Sequence, residues 1–403
     1  MKTKKTSLSS RRYLVPFVLI TSLFFMWGFA RAILDVLNKH FQNELDINIA
    51  QSALIQVMTY LGYFVMALPA GLFINRYGYR RGVIVGLILF ALGSLLFIPC
   101  SAAGTFYAFL AALFVIGCGL VFLETSANPY VTELGPKETA TSRLNFSQSF
   151  NGLGCMAATF GVGSFLFGEG GNEDGVVVPY TIMGVVVLLI AVAFSKVKLP
   201  EITHEDDNAT ADGKGNLKKL WKNGMFVFGL LALLAYEVSE ISINSYFINF
   251  VTGQGWMSDR DASMVITGAL AVFMIGRFLG SWIMRRVAAE KMLLLCAVGT
   301  VVCMLTVLGD FGKVSLIALM CNYMFEAIMF PTIFSLTLRG LGGLTKSASS
   351  ILMMTPVGGC AFLLMGLVAD NTNNIIPFVI PLAGFAVVLA YAFRLTAGSR
   401  RGE

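Results

Sequence analysis

Two apolar stretches decide the fold of this chain: VFLETSANPYV at residues 121–131 and FEAIMFPTIF at residues 325–334. Each stretch contains a glutamate, Glu124 or Glu326, that a proline follows five residues later. The two stretches lie about half of the 403-residue chain apart. A buried acid and a helix breaker that recur in both halves are typical of transporters built from internal repeats, with interrupted helices at the binding site. The pattern therefore predicts a duplicated membrane bundle whose functional residues lie near the bilayer midplane.

The composition indicates an integral membrane protein. Hydrophobic residues make up 56% of the chain and charged residues 13%, whereas a soluble domain has about 25% charged residues. The net charge of +6 does not indicate nucleic-acid binding, because the basic residues are spread through short connectors and form no dense stripe. The seven cysteines lie within or at the ends of apolar segments and have no CxxC spacing. They predict neither a disulfide framework nor a metal site, and no motif indicates a cofactor.

The apolar segments can be counted as membrane spans, because roughly twenty apolar residues cross a bilayer. The first segment is longer than the core of a signal peptide and does not end in a small-residue cleavage site, so we expect it to be retained as span 1. Twelve spans are predicted, at about residues 13–37, 51–74, 82–101, 104–130, 144–167, 177–195, 224–250, 262–284, 291–309, 314–337, 348–369 and 377–393.

The distribution of lysine and arginine predicts the orientation of these spans. If the N-terminus is cytoplasmic, most of the 29 basic residues fall in segments on the cytoplasmic side. Lys39, Arg260 and Lys313 are then the basic residues in the outer connectors. Because cytoplasmic loops carry an excess of basic residues, the sequence predicts that both termini are cytoplasmic. The predicted location is the bacterial inner membrane.

A polar segment near the middle divides the chain into halves. The run KVKLPEITHEDDNATADGKGNLKK at residues 196–219 predicts a cytoplasmic linker rather than a domain. A Gly-x4-Arg connector follows span 2, at Gly71 and Arg76, and recurs after span 8, at Gly280 and Arg285, which is a second sign of duplication. The predicted order is tail, six-helix bundle, linker, six-helix bundle and tail, at residues 1–12, 13–195, 196–223, 224–393 and 394–403.

The connectors resemble a loop of the major facilitator superfamily, although Asn75 stands where that loop usually has an acid. Longer runs are similar to the fucose/glucose/galactose group of sugar–proton symporters, in the same order and on matching spans. The resemblance implies an all-α integral membrane protein, with twelve transmembrane helices in two six-helix halves. The runs are LETSANPYVTELGP (123–136), RLNFSQSFNGLG (143–154), SEISINSY (239–246), FPTIFSL (330–336) and the segment 341–370.

Two acids are candidates for proton coupling. The resemblance implies this role for Asp35, near the outer end of span 1, and for Glu124 on span 4. An ionised carboxylate at the bilayer centre costs about 2.5–3.5 kcal/mol, so such a residue normally faces a cavity and has a function. For Asp35 the alternatives are an ion pair with Arg31, one helical turn earlier, or solvation near the outer interface.

Further charged residues lie in the second half of the chain. Glu240 matches a glutamate of the glucose/galactose and N-acetylglucosamine types of relative, which implies that it accepts hydrogen bonds from sugar hydroxyls. Glu237 shares a helix face with Glu240 but matches no acid of the family, so packing near a mouth or pairing with Arg31 are its alternatives. Glu326 fits the internal repeat, although the family usually has a neutral residue there. Pairing with Arg277 and a role as an extra titratable group are both open for Glu326.

Sugars are bound by planar polar side chains and by an aromatic face. Four amides and two aromatic residues are candidates, and the resemblance and the shared helix face favour the two amides of span 5. The alternative for any amide is an interhelical hydrogen bond, and for either aromatic ring it is core packing. The candidates are Gln148, Asn151, Asn128, Asn244, Trp27 and Tyr246.

Prolines, glycines and arginines point to a structure that moves. Prolines in the spans predict helix breaks, and glycines in spans 5 and 11 permit close helix approach, as they would in ordinary tight packing. Arginines next to the spans are candidates for a latch at the cytoplasmic face, with plain topological anchoring as the alternative. The prolines and glycines are Pro129, Pro331, Pro356, Gly152, Gly154, Gly358 and Gly359. The arginines are Arg76, Arg80, Arg81, Arg285 and Arg286.

The sequence predicts a transporter and not an enzyme. It contains no HExxH, GxSxG or GxxxxGK[ST] motif, so residues for metal-dependent hydrolysis or ATP coupling are not indicated. The predicted function is import of a neutral monosaccharide with a proton by alternating access, by a protein that works as a monomer in the lipid bilayer. Arg31 and Ala32 replace two asparagines of the fucose-type relatives, so the resemblance does not indicate fucose itself. The alternatives are a sodium-coupled carrier, a carrier of an acidic or N-acetylated sugar, and a sugar sensor that does not transport.

Overall fold

The computed structural model describes residues 14–134, 140–168, 175–196, 213–284 and 286–399. All regular elements within these ranges are helical. The predicted N-terminal tail, most of the predicted linker, Arg285 and the last four residues lie outside the described residues.

Nine α-helices lie in the described part of the first half of the chain. In order, they are α1 (Leu14–Leu45), α2 (Ile49–Ser52), α3 (Leu54–Tyr77), α4 (Tyr79–Leu95), α5 (Phe97–Ala103), α6 (Phe106–Glu133), α7 (Ala140–Ala157), α8 (Gly163–Leu166) and α9 (Val177–Lys196) within the described residues. A π-helical segment, Ala158–Val162, joins α7 to α8.

The second half contains the remaining described α-helices and three short 3₁₀ segments. The α-helices are α10 (Gly213–Lys222), α11 (Gly224–Gly253), α12 (Asp259–Ile283), α13 (Ala289–Leu308), α14 (Lys313–Glu326), α15 (Met329–Leu338), α16 (Thr345–Leu352), α17 (Phe362–Asn371) and α18 (Val379–Ser399). The 3₁₀ segments are Gly342–Leu344, Thr355–Ala361 and Ile376–Phe378.

Ten helical stretches of the described chain are long and apolar enough to cross a membrane. They coincide with ten of the twelve predicted spans. The other two predicted spans, 144–167 and 348–369, are helical but interrupted, the first by the π-helical segment and the second by the 3₁₀ segment Thr355–Ala361. Pro356 and two glycines lie in that 3₁₀ segment, and these residue types weaken a regular α-helix.

Several boundaries differ from the prediction. Helix α1 continues to Leu45, past the predicted end of span 1, and two polar segments are also helical. Part of the predicted linker is a helix, α10, whose Leu220 side chain is fully buried. The last helix continues to Ser399, past the predicted end of the span. Thr396 in this extension is buried, and its hydroxyl donates a hydrogen bond to the carbonyl of Glu290 at 3.4 Å. Tertiary packing therefore extends both elements into segments that the composition marked as polar.

The described residues divide into two compact units. The first lies within Met1–Leu34 and Leu61–Glu205, and the second lies within Asp35–Tyr60 and Asp206–Glu403. The segment 35–60 contains the end of α1, α2 and the start of α3, and it packs with helices of the second half of the chain. The division by packing therefore differs from the predicted division by sequence at this one segment.

Close helix contacts in the first unit depend on glycine. A Cβ atom on Gly28 of α1 would lie 2.1 Å from the carbonyl oxygen of Asn151 on α7. A Cβ atom on Gly154 of α7 would lie 2.0 Å from the carbonyl oxygen of Phe25 on α1. Side chains at these two positions would overlap with backbone atoms, so glycine allows the two helices to touch along their backbones.

The core of the second unit is built around α11. Its side chains are mostly buried from Phe226 to Val251. The rings of Tyr246 and Phe250 pack edge-to-face on Phe378, with centroids 5.7 Å and 4.9 Å away. This helix carries Glu237 and Glu240, so the core places two acids inside the second unit.

Candidate functional site

The first buried acid, Glu124, lies on α6, and its side chain is only 9% exposed. Asn128 follows one helical turn later and shares its face of the helix. The Nε2 of Gln148 on α7 donates a hydrogen bond to Oδ1 of Asn128 at 3.3 Å. The first unit therefore groups an acid and two amides that the sequence singled out.

Helix α6 runs through Pro129 and ends at Glu133. The predicted break at this proline is therefore wrong. A proline removes one helical hydrogen bond and bends a helix, but the helix continues when its neighbouring residues are held by packing. Tyr130 and Val131, directly after the proline, are 1% and 0% exposed.

Asn151 supports the crossing of α1 and α7. Its Nδ2 donates a hydrogen bond to the carbonyl of Phe24 at 3.3 Å. One turn later, Sγ of Cys155 donates to the carbonyl of Gly28 at 3.3 Å. In this structure Asn151 makes the interhelical bond that was the alternative to sugar binding. Trp27, on the same part of α1, is half-buried, and its Nε1 is a buried donor without a hydrogen-bond partner.

Asp35 is joined to two residues that the sequence analysis missed. The hydroxyl of Ser245 on α11 donates a hydrogen bond to Oδ1 of Asp35 at 2.8 Å. The Nε2 of Gln56 on α3 donates to the same hydroxyl oxygen at 2.9 Å. Gln56 could have been identified from the sequence, because it is an amide inside an apolar span. The residue type of Ser245 does not indicate its contact with Asp35.

Glu240 forms a polar pair on α11. Its Oε1 accepts a hydrogen bond from Nδ2 of Asn244, one helical turn later, at 3.1 Å. The Oδ1 of Asn244 is buried and has no hydrogen-bond partner. The pair therefore contains a buried acceptor atom to which no donor of the described residues binds.

Glu237 is buried in the packing between α11 and the 3₁₀ segment Thr355–Ala361. Its side chain is 2% exposed. A Cβ atom on Gly358 would lie 2.8 Å from the backbone nitrogen of Val238 and 3.1 Å from Cβ of Glu237. The 3₁₀ segment thus lies directly against this acid.

The predicted break in the span that carries Glu326 is confirmed. Helix α14 ends at Glu326 and α15 begins at Met329. Pro331 has no N–H, so the carbonyl of Ala327, four residues earlier, has no helical partner. The Nε of Arg277 on α12 donates a hydrogen bond to this carbonyl at 3.2 Å. An arginine of a neighbouring helix therefore replaces the donor that the proline lacks.

The side chain of Glu326 is fully buried beside the break. Its Oε2 accepts a hydrogen bond from Nδ2 of Asn322 at 2.8 Å, while Oε1 has no hydrogen-bond partner. The hydroxyl of Tyr236 on α11 donates to the backbone carbonyl of Glu326 at 3.3 Å. Asn322 lies one turn before Glu326, a spacing that could have identified it as a partner.

Tyr246 does not offer a surface for sugar stacking. The side chain is 0% exposed, its ring packs on Phe378, and its hydroxyl is buried without a hydrogen-bond partner. Its placement contradicts the predicted stacking role and fits the alternative of core packing. The aromatic side chain is buried because α11 is surrounded by other helices along this stretch.

The arginines after the second span bind local partners in the first unit. A guanidinium nitrogen of Arg80 donates a hydrogen bond to the carbonyl of Ser195 at 2.8 Å, which ties the start of α4 to the end of α9. The guanidinium groups of Arg76 and Arg81 lie 5.3 Å and 5.9 Å from the ring centroid of Tyr77. Of these three arginines, Arg80 joins two predicted spans through this hydrogen bond, and the bond supports a structural role for it.

The corresponding region of the second unit has a different ion pair. The guanidinium of Arg286 lies 5.4 Å from the ring of Trp282, and Arg285 is outside the described residues. Arg339, at the end of α15, forms an ion pair with Glu290, at the start of α13. The sequence analysis missed this pair, because its two residues are far apart in the chain.

A carboxylate joins the segment 35–60 to α17. The two oxygens of Asp370 accept hydrogen bonds from the backbone N–H groups of Ile49 and Ala50, at 3.1 Å and 2.8 Å. These N–H groups open α2, where a negative charge is favourable. Asp370 is the last residue of the segment 341–370, which carries part of the family resemblance. The sequence does not indicate its partners.

A second carboxylate holds the end of α1. Asp259, at the start of α12, accepts a hydrogen bond from Nδ2 of Asn43 at 2.7 Å, and Nζ of Lys39 lies 3.9 Å from its other oxygen. Both contacts join the predicted outer end of span 1 to the predicted outer end of span 8. In the described part of the chain, no three His, Cys, Asp or Glu side chains form a group that could hold a metal ion.

Comparison with known proteins identifies the family. A family model described as Major Facilitator Superfamily matches residues 20–355. A glucose/galactose transporter of Brucella abortus biovar 1 is 35% identical over 392 residues, which are 95% of this chain and 94% of the relative. The L-fucose-proton symporter of Escherichia coli K12 is 34% identical over 410 residues, covering 95% of this chain and 93% of the relative.

A solved structure supports the same conclusion at the level of the fold. The crystal structure of FucP, a major facilitator superfamily transporter in the outward conformation, matches with a TM-score of 0.74 and 34% identity, over 95% of this chain and 99% of that chain. The ten long apolar stretches and the two further helical spans of the described chain fit the twelve-helix fold of that family. The chain therefore belongs to the major facilitator superfamily, in the group that includes these fucose and glucose/galactose transporters.

Proposed function

We propose that the chain is a secondary active transporter that imports a neutral monosaccharide together with a proton by alternating access. One observation carries the proposal: two relatives named as sugar transporters, one of them a proton symporter, are 34–35% identical over 95% of the chain. The similarity includes the spans that hold Asp35 and Glu124. It favours transport over the alternative of a sugar sensor.

Asp35 and Glu124 are the proposed proton-coupling residues. Glu124 is almost fully buried on α6, and a membrane-buried carboxyl is a functional-site hypothesis by default. Asp35 accepts the hydrogen bond of Ser245, and a bond to an ionised acceptor is stronger than one to a neutral acceptor. Protonation of Asp35 would weaken this bond. Proton binding thereby changes how the segment 35–60 is held on α11.

Polar pairs in each unit are the proposed sugar-binding residues. Asn128 and Gln148 form the pair in the first unit, and Glu240 and Asn244 form the pair in the second. Amides and carboxylates supply the donors and acceptors that sugar hydroxyls need. Trp27 adds a ring and an unused N–H donor, so it is the proposed aromatic contact.

The proposed substrate is a hexose of the glucose or galactose type. The relative from Brucella abortus is named a glucose/galactose transporter. Arg31 and Ala32 replace the asparagines of fucose-type relatives, and Glu240 matches the glucose/galactose type. The substrate test below therefore starts with these two hexoses and includes fucose and N-acetylglucosamine.

We further propose a bacterial inner-membrane location, both termini in the cytoplasm, and a functional monomer without enzymatic activity. The excess of basic residues in the predicted inner connectors supports the orientation. The bacterial relatives support the location.

Uptake by purified protein in proteoliposomes tests the function. Labelled glucose, galactose, fucose, mannose and N-acetylglucosamine are supplied under an inward proton gradient, an inward sodium gradient, or neither. We expect glucose or galactose to accumulate with the proton gradient alone. We expect Glu124→Gln to exchange the sugar across the membrane but not to accumulate it, because an amide cannot carry the proton.

Glu44→Gln is the matched control, since Glu44 is an exposed glutamate at the end of α1. This variant should accumulate sugar like the wild type. Accumulation that follows sodium would overturn proton coupling. Binding of a sugar without any uptake would favour the sensor.

A further inference from the structure

We propose that Glu326 is a second proton-binding site, which takes up and releases a proton in each transport cycle. The inference rests on the proposed function and adds a second coupling site to it. Glu326 is the last residue of α14, and the helix restarts at Met329. Discontinuous helices in transporters place ion sites next to the parts that move. The carboxyl group thus lies at a break in a membrane span.

The hydrogen bonds of Glu326 fit a neutral carboxyl group. The side chain is 0% exposed, Oε2 accepts one bond from the Asn322 amide, and Oε1 has no partner among the residues that the structure describes. An ionised carboxylate has about four acceptor positions, and a buried one is normally paired or bonded to several donors. A bound proton removes the charge from a site that supplies one neutral donor.

Two side-chain donors of neighbouring helices bind the backbone of the break. Arg277 uses its Nε for the carbonyl of Ala327, and Tyr236 uses its hydroxyl for the carbonyl of Glu326. Movement at the break would change these bonds. Because the carboxyl belongs to the last residue before the break, the same movement changes its surroundings and allows the proton to leave.

Several titratable or charged groups face this region from the surrounding helices. Tyr236 lies within electrostatic range of three glutamates and one arginine, so the negative groups outnumber the positive one. A proton on Glu326 reduces this excess of negative charge in an apolar region. The groups are Tyr236, Glu237 and Glu240 on α11, Arg277 on α12, Cys303 on α13, and Asn322 and Tyr323 on α14.

Tyr323, on the same helix as Glu326, is a further buried polar group of this region. Its side chain is 0% exposed, and its hydroxyl has no hydrogen-bond partner among the described residues. Glu326, Asp35 and Glu240 all act on it electrostatically. The charge on Glu326 is therefore felt in the same region as the charge on the proposed coupling residue Asp35.

The number of protons moved with each sugar tests the proposal. Protein in vesicles with equal pH on both sides is brought to equilibrium with labelled glucose or galactose at a set membrane potential. For each 100 mV, one proton concentrates a neutral sugar about 50-fold, and two protons concentrate it about 2,400-fold. We expect the wild type and the control Glu44→Gln to follow the two-proton slope, and Glu326→Gln to follow the one-proton slope.

Glu326→Gln keeps the size of the side chain and an acceptor for Asn322. A one-proton slope in the wild type, or a two-proton slope in Glu326→Gln, would overturn the second site. If the variant does not fold, infrared difference spectra of the double variant Asp35→Asn, Glu124→Gln replace it: a carboxylic-acid C=O band that responds to pH is expected to remain, and its absence contradicts the proposal. Sugar that never accumulates with potential in the wild type would instead reject the proposed function.

Discussion

Two glycines allow the close contact between α1 and α7 in the first unit. The backbones of α1 and α7 meet at Gly28 and Gly154, where an added Cβ would lie 2.1 Å and 2.0 Å from a carbonyl oxygen, far inside van der Waals contact. Asn151 and Cys155 add hydrogen bonds from α7 to α1 at the same crossing. The position of Gln148 on the next turn of α7 depends on this contact, so the glycines influence a proposed sugar-binding residue from a distance.

Gly28→Ala should destabilise the protein, because its methyl group would lie 2.1 Å from the carbonyl oxygen of Asn151. Overpacking of this kind typically costs about 1–3 kcal/mol, and backbone contact places this variant at the upper end. We expect a melting temperature several degrees lower in a detergent thermal-unfolding assay. Gly161→Ala is the control, since nothing lies within 4 Å of its Cβ position. Equal stability of the two variants would show that α1 and α7 separate easily.

The two glutamate–proline stretches form helices of different continuity. Helix α6 continues through its proline, whereas the later span is divided into α14 and α15. In the divided span, neighbouring helices supply donors to the free carbonyls of Glu326 and Ala327. The same local signal therefore yields a continuous or a broken helix, depending on the partners that tertiary packing provides.

Arg277 and Pro331 should be coupled energetically. Arg277→Met removes the donor to the carbonyl of Ala327, and loss of a hydrogen bond from a charged group costs about 1.5–3 kcal/mol. Pro331→Ala restores a backbone N–H that can reach this carbonyl, so Arg277→Met should cost less in that background. A double-mutant cycle by thermal unfolding measures the difference. The same cycle with Arg286→Met, whose guanidinium lies over Trp282, should show no coupling.

Asp370 should control the local stability of α2. Its carboxylate accepts the N–H groups of Ile49 and Ala50, so Asp370→Ala leaves both without this acceptor. A loss of about 1.4 kcal/mol of local stability corresponds to tenfold faster amide exchange. Hydrogen exchange followed by mass spectrometry should therefore show faster exchange at residues 49–52. Glu44→Ala, on the exposed end of α1, should leave this exchange unchanged, and equal exchange in Asp370→Ala would contradict the role of the carboxylate.

At the scale of the whole molecule, charge and apolar length predict how the chain crosses the membrane. The predicted inner connectors hold most of the basic residues, and the twelve spans agree with the fold of the family. An even number of spans places both termini on the same side. The positive-inside rule then predicts that this side is the cytoplasm.

Cysteine labelling tests this orientation in a variant that lacks the seven native cysteines. Glu44 lies in a predicted outer connector and Lys219 in a predicted inner one, and both are exposed. An impermeant maleimide should label Glu44→Cys in intact cells, and it should label Lys219→Cys only after lysis. The opposite pattern would reverse the proposed topology.

The membrane class, the apolar spans and the family resemblance follow from the sequence alone. The sequence also predicts the duplication, which stays a prediction. These properties depend on apolar length, on charge in the connectors and on residue order, all of which are local or periodic features of a chain in a bilayer. Proline removes a donor wherever it stands, so the sequence predicts a break at Pro331 and at Pro129 alike, and the break occurs at Pro331 alone of these two. The proposed roles of Asp35 and Glu124 follow from the sequence and stay predictions.

Only the tertiary structure decided which of these residues meet. Ser245 and Gln56 at Asp35, Arg277 at the free carbonyl of Ala327, and Asp370 at the start of α2 are contacts between segments far apart in the chain. Packing also buries Tyr246 in the core and holds α6 as a continuous helix through Pro129. Such outcomes depend on the neighbours that surround a side chain, and helix periodicity gives the face of a residue but not its partner on another helix.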